Sequence, residues 1–222
     1  MSTLLIRLVA PLQSWGTQSN FTNRDTGLEP SKSGLLGLVC AALGRPRQAA
    51  LDDLIRLRMA VRVDRPGIIQ RDFQIVQNVL LSKGNNTKDS IITNRFYLSG
   101  AAFLAGLEGE LSLLREIQLA LQHPVWPLYF GRKAFAPAMP VWMDDGLREN
   151  QNLEEALQSC DWLVAWPPEK APQQILCVLE DVQGSQLRND VPLCFAERTF
   201  DSRRVTTLLI DAPQACRKEI MP

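Results

Sequence analysis

The stretch EPSKSGLLGLVCAALGRPR, residues 29–47, places a polar Ser-Lys-Ser-Gly run directly before an apolar segment. Residues 33–44 are typical of a helix, and Gly44 and Pro46 are residues that end one. The longest run without polar side chains, GLLGLVCAALG, has 11 residues, too few to span a membrane. The polar start allows two interpretations, a phosphate cradle at a helix N-terminus or a turn before a buried helix.

Strand-like segments lie on both sides of this helix. The segment TLLIRLVA (3–10) is apolar apart from Arg7, which predicts a buried central strand. Residues 17–32 are polar and contain Gly and Pro, so we expect a loop there. After the helix, AALDDLIRL (49–57) predicts a second short helix, and MAVRVD (59–64) alternates like a strand.

Residues 70–97 predict a long β-hairpin. QRDFQIVQNVLL and SIITNRFYL are both typical of strands, and the SKGNNTKD between them is a strong turn signal. The basic side chains of this segment outnumber the acidic ones; they are Arg71, Lys83, Lys88 and Arg95, against Asp72 and Asp89. Two interpretations stay open, a solvated hairpin and a projecting arm that meets a polyanion or another subunit.

The next elements complete a recognisable order. YLSGAAFLAGL (97–107) predicts an apolar strand, and GELSLLREIQLALQHP (109–124) predicts an amphipathic helix that ends at Pro124. Strand, helix, strand, hairpin, strand and helix resemble a ferredoxin-like βαββαβ unit with a hairpin insertion, so the predicted fold class is α+β.

The C-terminal part is predicted to be smaller and rich in strands. NLEEALQSC (152–160) predicts a third helix, and strands are expected near residues 162–166, 175–182 and 204–210. We therefore expect two parts. The first is residues 1–124, which include the hairpin, and the second is a C-terminal extension, residues 125–222, that completes the fold.

Charge is balanced overall but unevenly distributed. The 24 basic and 24 acidic side chains cancel, which argues weakly against a general polyanion binder. Residues 1–140 carry a net charge of +6, residues 141–197 carry −8, and residues 198–222 carry +2. Such a split lets one face meet a polyanion while the chain as a whole stays neutral.

The five cysteines are scattered, with no CxxC pair and no Cys/His cluster; they are Cys40, Cys160, Cys177, Cys194 and Cys216. Zinc and a disulfide framework are therefore poorly supported, and a reducing cytoplasm fits best. The N-terminal segment has an arginine inside its apolar stretch, so we read no signal peptide. We predict no metal, no cofactor and no membrane partner.

Few residues in the sequence support a catalytic site. The single histidine, His123, lies before Pro124 at a predicted helix end, and no Ser/His/Asp triad can be built without it. The carboxylate pairs at 52–53, 144–145 and 154–155 fall at predicted helix starts or turns, where acids stabilise helices. The SKSG run lacks the leading glycine and the residue order of a nucleotide-hydrolysing P-loop.

Single-stranded RNA binding is the better supported chemistry. Seven arginines fall between residues 45 and 71. The stretch FGRKAF (130–135) holds Arg132 and Lys133 between two phenylalanines, and RTFDSRR (198–204) holds three arginines around Phe200. Basic and aromatic side chains together suit phosphate pairing and base stacking. The competing interpretation is a solvated surface over core phenylalanines, a structural or interaction module without RNA.

Five segments in order carry a resemblance to a known family: LIRLVAPLQSWG (5–16), PSKSGLLGLVCAALG (30–44), NRFYLSGAAF (94–103), YFGRKAF (129–135) and RTFDSRR (198–204). On these segments the chain resembles the Cas-five family, the RAMP-type subunit of CRISPR surveillance complexes, in its type I-E (Cascade) form. One departure is Ser99-Gly100, where the family often has an acidic residue in the strand after its YL.

The resemblance implies a non-catalytic subunit that grasps RNA. It implies an RRM-like RAMP core, with the hairpin as a thumb, that holds the 5′ handle of CRISPR RNA and caps the backbone filament. The implied partners are CRISPR RNA, backbone subunits, the large PAM-reading subunit, other Cascade subunits and, indirectly, target DNA.

The resemblance also supplies the alternative, because type I-C relatives cut precursor RNA as metal-free endoribonucleases. Such cleavage needs a group that exchanges a proton near neutral pH. The chain offers His123, Tyr97 and Tyr129, so we predict no ribonuclease activity.

The expected RNA-binding residues fall into three groups. The helix N-terminus and the loop after the first strand supply Gln13, Trp15, Ser31, Lys32, Ser33 and Gly34. Phosphate pairing is expected from Arg132, Lys133, Arg198 and Arg203, and the hairpin supplies Lys83 and Lys88. For Trp15, a stacking platform and a core plug are both open, with the core plug favoured.

Overall fold

A computed structural model describes residues 1–18, 22–80, 87–166 and 171–213 of the 222-residue chain. Four helices and eleven strands lie in these ranges. In chain order they are β1 (Ser2–Val9), β2 (Leu12–Gln13), β3 (Asn23–Arg24), α1 (Lys32–Leu43), α2 (Asp52–Ile55), β4 (Arg58–Arg65), β5 (Ile68–Leu80), β6 (Thr87–Ser99), β7 (Ala102–Gly109), α3 (Leu111–Gln122), β8 (Leu147–Arg148), α4 (Leu153–Ser159), β9 (Gln174–Glu180), β10 (Gln186–Cys194) and β11 (Thr199–Asp211).

The larger sheet has the strand order β10-β11-β9-β4-β7-β1-β8, and its neighbouring strands are antiparallel. The predicted central strand is confirmed, because β1 lies between β7 and β8. β9 pairs with β4, so strands of the C-terminal part continue the sheet that the N-terminal part begins. The fold is therefore mixed α+β with mostly antiparallel pairing.

Both faces of this sheet are covered. Along β1, alternate side chains point to opposite faces, so Leu4, Ile6 and Leu8 join one core cluster and Leu5 joins another. The first cluster is closed by α1 and α3, and the second by α4. The predicted helices at 33–44, 109–124 and 152–160 are all present, with ends within two residues of expectation.

The hairpin strands form a second sheet. β5 and β6 pair antiparallel from Ile68↔Ser99 to Leu80↔Thr87, while β2 and β3 also pair with β6. The two strands expected at this place are therefore present, although the turn between them, residues 81–86, lies outside the described residues. The single strand expected over 97–107 is interrupted, because Gly100 adopts a left-handed φ of 69° between β6 and β7.

The strand expected near 162–166 is wrong. The Leu163 amide there donates to the carboxylate of Asp64 at 2.8 Å instead of to a neighbouring strand. Asp64 is completely buried and pairs with Arg62, whose guanidinium also donates to the carbonyl oxygens of Leu157 and Cys160 at the end of α4. This ion pair therefore fixes the chain after α4 as an irregular segment.

Two other expectations need correction. The second helix is shorter than residues 49–57, since only Asp52–Ile55 are helical. Strand β10 was not expected at all. Its sequence carries Pro192 and a mixed polar pattern, and its pairing with β11 contains register shifts, so it has no clean period of two. No helix within the described ranges is long and apolar enough to cross a membrane.

Candidate nucleic-acid interface

A cavity of about 530 Å³ runs along one face of α1. The helix lines it with Ser33, Gly34, Gly37, Leu38 and Ala41, a spacing of three and four residues that defines a single face. Most of these side chains are small, so they leave open space above the helix. The apolar face of the same helix, with Leu35, Leu36 and Val39, is completely buried in the core.

Positive charge surrounds this cavity. Its lining includes four arginines, Arg24, Arg45, Arg47 and Arg132, and one carboxylate, Asp25. Arg45 is held by Asp53 through two hydrogen bonds of 2.7 and 2.5 Å, which raise the pKa of Arg45 above its usual value. All four side chains remain cationic at neutral pH, since the guanidinium does not deprotonate there. The cavity therefore favours an anionic ligand.

Aromatic rings form the remaining walls. Five of them line the cavity, the buried Trp15 and the less buried Trp126, Tyr129, Phe195 and Phe200. Trp126, Tyr129 and Phe200 are between 38% and 44% exposed, which leaves ring faces accessible to a planar group. Guanidinium groups beside exposed rings are the combination that binds single-stranded nucleic acid, through phosphate pairing and base stacking.

Trp15 forms part of the buried base of the cavity, and Gln13 holds it in place from the core. The indole of Trp15 is 2% exposed and donates from Nε1 to Oε1 of Gln13 at 3.0 Å. Gln13 is completely buried, and its Nε2 donates to the carbonyl oxygens of Leu8 and Ala101, both at 3.0 Å. Trp15 is therefore a core plug, and the expectation of a direct ligand contact for Gln13 is revised to a supporting role.

The N-terminus of α1 already holds an anion. The carboxylate of Asp190 accepts from the Lys32 amide at 2.7 Å, and the side chain of Ser31 accepts from the Gly34 amide at 3.2 Å. These two contacts satisfy amides that a bound phosphate would otherwise occupy. A carboxylate from β10 thus stands at the position where the sequence suggested a phosphate.

The charged side chains beside Asp190 are also buried and paired. The Lys32 ammonium is 1% exposed and lies 2.9 Å from Glu180, and burial lowers the pKa of Lys32 against the opposing effect of Glu180. Arg203 binds Asp190 through Nε at 2.7 Å. The expected direct phosphate contacts of Lys32 and Arg203 are therefore revised, because both cations are largely buried and already paired with carboxylates.

The other predicted residues are distributed around the molecule. Besides Trp15, the predicted residues that line the cavity are Ser31, Ser33, Gly34 and Arg132. Lys133, Arg198 and Lys88 are exposed but do not line the cavity. Lys83 lies outside the described residues.

Several lining residues were missed by sequence reasoning. Arg24, Arg45, Arg47, Trp126, Tyr129, Phe195 and Phe200 were not predicted as site residues. A signal existed for some of them, since Arg45 and Arg47 belong to the arginine-rich stretch and Phe200 to RTFDSRR. Trp126 and Phe195 carried no local signal. Backbone bonds from Trp126 to Ala41 and from Ala196 to Arg47 place them beside α1, across long sequence separations.

Acid–base groups are sparse around the cavity. His123 is an exposed residue at the C-terminal end of α3 and does not line it. Cys40 lines it, but burial raises the pKa of this thiol to about 11, so it is protonated and a poor nucleophile at neutral pH. Within the described ranges, no three His, Cys, Asp or Glu side chains are grouped to hold a metal ion.

Comparison with known proteins confirms the resemblance seen in the sequence. Residues 3–206 match the family model described as CRISPR-associated protein (Cas_Cas5). The CRISPR system Cascade subunit CasD of Escherichia coli (strain K12) is 30% identical over 157 residues, which are 64% of this chain and 70% of that protein.

Two solved structures are similar over almost the whole chain. One, described as "Crystal structure of Cas protein", has a TM-score of 0.79 and 42% identity, covering 96% of this chain and 98% of its own. Another, from a "CRISPR RNA-guided surveillance complex", has a TM-score of 0.79 and 31% identity, covering 96% of this chain and 91% of its own. The chain therefore belongs to the CRISPR-associated protein (Cas_Cas5) family.

Proposed function

We propose that this protein is a non-catalytic RNA-binding subunit of a type I-E CRISPR surveillance complex (Cascade). In this role it holds the 5′ handle of CRISPR RNA and caps one end of the backbone filament, for antiviral defence. Support comes from family membership, from the similarity to a Cascade subunit and from the similarity to a chain of an RNA-guided surveillance complex.

The observation that carries the proposal is the cavity along α1. It combines four arginines with five aromatic rings and a floor of small residues. Cations near accessible ring faces pair with phosphates and stack with bases, whatever the sequence of the strand. Cys40, the thiol in its lining, is protonated at neutral pH, so the geometry suits retention of RNA better than its cleavage.

The strand order supports a ferredoxin-like, RRM-like RAMP core. β8-β1-β7-β4 is the fourth, first, third and second strand of such a unit when the β5/β6 pair is counted as an insertion. α1 follows the first strand and α3 follows the third, as the unit requires. On this proposal residues 1–124 form three strands and both helices of the core together with the thumb hairpin at 70–97, and residues 125–222 complete the fold, with β8 as the fourth strand.

The proposal includes partners and a location. The thumb strands and the surface cations Lys88, Lys133 and Arg198 are available to RNA or to a neighbouring backbone subunit, because their side chains are exposed. The remaining partners are the large PAM-reading subunit, other Cascade subunits and target DNA held by the complex. The location is the cytoplasm, and no cofactor takes part.

RNA recovery tests the proposal most directly. We expect the protein, isolated from cells that contain its CRISPR locus, to carry short RNAs with one uniform 5′ sequence. Recovery without RNA, or with RNA of random 5′ ends, would contradict the proposal and favour a module that does not bind RNA.

Binding in vitro tests the cavity itself. The exposed Arg47 lines the cavity, and Arg47→Gln is expected to weaken binding of a single-stranded oligoribonucleotide roughly tenfold, because a charge-assisted phosphate contact is lost. The matched control is Arg115→Gln, which removes an exposed arginine of α3 that pairs with Glu149 and does not line the cavity. Equal effects of the two variants would contradict the assignment.

A further inference from the structure

Three arginines converge at the root of the hairpin, beside the cavity. β3 pairs with β6 in parallel with Arg24 next to Arg95, so the two side chains leave the same face of the sheet. Neighbouring strands in a sheet lie about 4.8 Å apart, so the backbones of Arg24 and Arg95 lie side by side. Adjacent like charges destabilise a strand pair, although Arg95 also has Asp72 opposite it on its other side, on β5.

Arg132 joins these two from the segment after α3. Its Nη2 donates to the carbonyl oxygen of Phe96, the residue next to Arg95, at 2.6 Å. Its guanidinium lies 5.3 Å from the ring centre of Phe135, which also packs against Tyr97 with ring centres 5.7 Å apart. Arg95 and Tyr97 are two residues apart on β6 and share a face, so Arg95 and Arg132 face one another.

The three guanidiniums outnumber the carboxylates beside them, of which Asp72 is the cross-strand partner of Arg95 on β5 and Asp25 lines the cavity. Nε of Arg95 is buried and has no hydrogen-bond partner among the described residues. Burial lowers the pKa of Arg132, and the positive charges of Arg95 and Arg24 lower it further, against the opposing effect of Asp72. Asp72 itself accepts from Gln74 at 2.7 Å, and Asp25 accepts from the backbone amides after Gly16.

We propose that Arg24, Arg95 and Arg132 together bind a single phosphate, at the point where RNA leaves the cavity for the hairpin. A phosphodiester would relieve the repulsion among the three guanidiniums and accept from the buried Nε of Arg95. Arg24 and Arg132 also line the cavity, so this phosphate belongs to the nucleotide that lies where the cavity meets the root of the hairpin. The inference rests on the proposed RNA-binding function and assigns its ligand class at one position.

Salt dependence of RNA binding counts the phosphates that a protein neutralises, and this separates one shared phosphate from three. For single strands each neutralised phosphate contributes roughly 0.7 to the slope of log affinity against log salt concentration. Arg95→Gln should lower affinity roughly tenfold but leave the slope close to that of the wild type, because Arg24 and Arg132 still neutralise the shared phosphate. Replacing all three arginines with glutamine should weaken binding further and lower the slope by roughly 0.7 in total.

The probe is a fluorescent single-stranded oligoribonucleotide about ten nucleotides long, and circular dichroism reports folding of each variant. Arg95→Lys keeps the charge but loses the guanidinium, so affinity should recover only in part. The control is Arg71→Gln, whose side chain lies with Phe96 on the opposite face of the β5/β6 pair and over the ring of Phe73. The control should leave the affinity unchanged.

The outcomes separate the inference from the proposed function. If the wild-type protein does not bind single-stranded RNA, the proposed function fails. If the wild type binds but Arg95→Gln leaves the affinity unchanged, the inference alone fails. A slope that falls by roughly 0.7 with each successive arginine removed would also overturn it, because each cation would then have its own phosphate.

Discussion

Two glycines of α1, three residues apart, illustrate how different physical demands lead to the same residue type. A Cβ at Gly34 would lie 2.8 Å from Cε3 of the buried Trp15, so a side chain does not fit there. At Gly37 the nearest such contact would be the ring of Phe195 at 3.7 Å, an ordinary van der Waals distance. Gly34 is therefore required by packing, whereas Gly37 lies in the open floor of the cavity.

Alanine substitutions at these glycines should have opposite effects on stability. Gly37→Ala should raise the free energy of unfolding by about 0.5–1 kcal/mol, because alanine restricts the unfolded chain and favours a helix. Gly34→Ala should lower it by about 1–3 kcal/mol, because Trp15 must move. Urea denaturation of both variants checks this, and a stabilising Gly34→Ala would contradict the packing described here.

Filling the cavity at the same position separates stability from binding. Gly37→Met places a long side chain in the cavity and should weaken RNA binding at least tenfold, about 1.4 kcal/mol, without loss of folding. Gly37→Ala serves as the control, since its methyl group occupies little of the space. Unchanged RNA affinity of Gly37→Met would show that the ligand does not lie over α1.

Among the elements, those with local signals were predictable and those fixed by distant pairing were not. β1, α1 and the hairpin strands follow from hydrophobic runs, helix stop residues and a turn signal. The carboxylate of Asp190 at the N-terminus of α1 could not be predicted from a local signal, since Asp190 and Lys32 are 158 residues apart. Residue type therefore indicated an anion site at Ser31–Gly34, but which anion occupies it depends on the path of β10.

The buried charges link α1 to β9, β10 and β11. Asp190 on β10 accepts from the Lys32 amide and from Arg203 on β11, while Glu180 on β9 accepts from the Lys32 ammonium at 2.9 Å. Because Asp190 is 3% exposed, Asp190→Asn removes a buried negative charge and should destabilise the protein by about 3–5 kcal/mol. Thermal unfolding followed by circular dichroism measures the effect.

The same variant tests whether this end of α1 contacts RNA. Asp190 and its partners do not line the cavity along α1, so the salt slope of RNA binding by folded Asp190→Asn should equal that of the wild type. A steeper slope would mean that a phosphate has replaced the carboxylate at the helix N-terminus, and that the internal anion competes with RNA there.

At the scale of the whole molecule, zero net charge does not argue against RNA binding. The basic side chains gather where the cavity meets the hairpin root, with Arg24, Arg47, Arg95 and Arg132 around it. Many acids are held in structural pairs, as in the buried pair of Arg62 and Asp64. The net charge adds the basic side chains at the cavity to the acids held in structural pairs, so composition alone could not locate the site.

A final prediction concerns whether the protein cleaves RNA. Metal-free cleavage needs a group that takes up and releases a proton near neutral pH. The cavity is lined by guanidiniums, which do not deprotonate in proteins, by the Cys40 thiol with a pKa of about 11, by Asp25 and by Tyr129, whereas His123 does not line it. Incubation with CRISPR repeat RNA in EDTA should therefore leave the RNA intact. Site-specific cleavage that disappears in His123→Ala or Tyr129→Phe would instead establish an endoribonuclease.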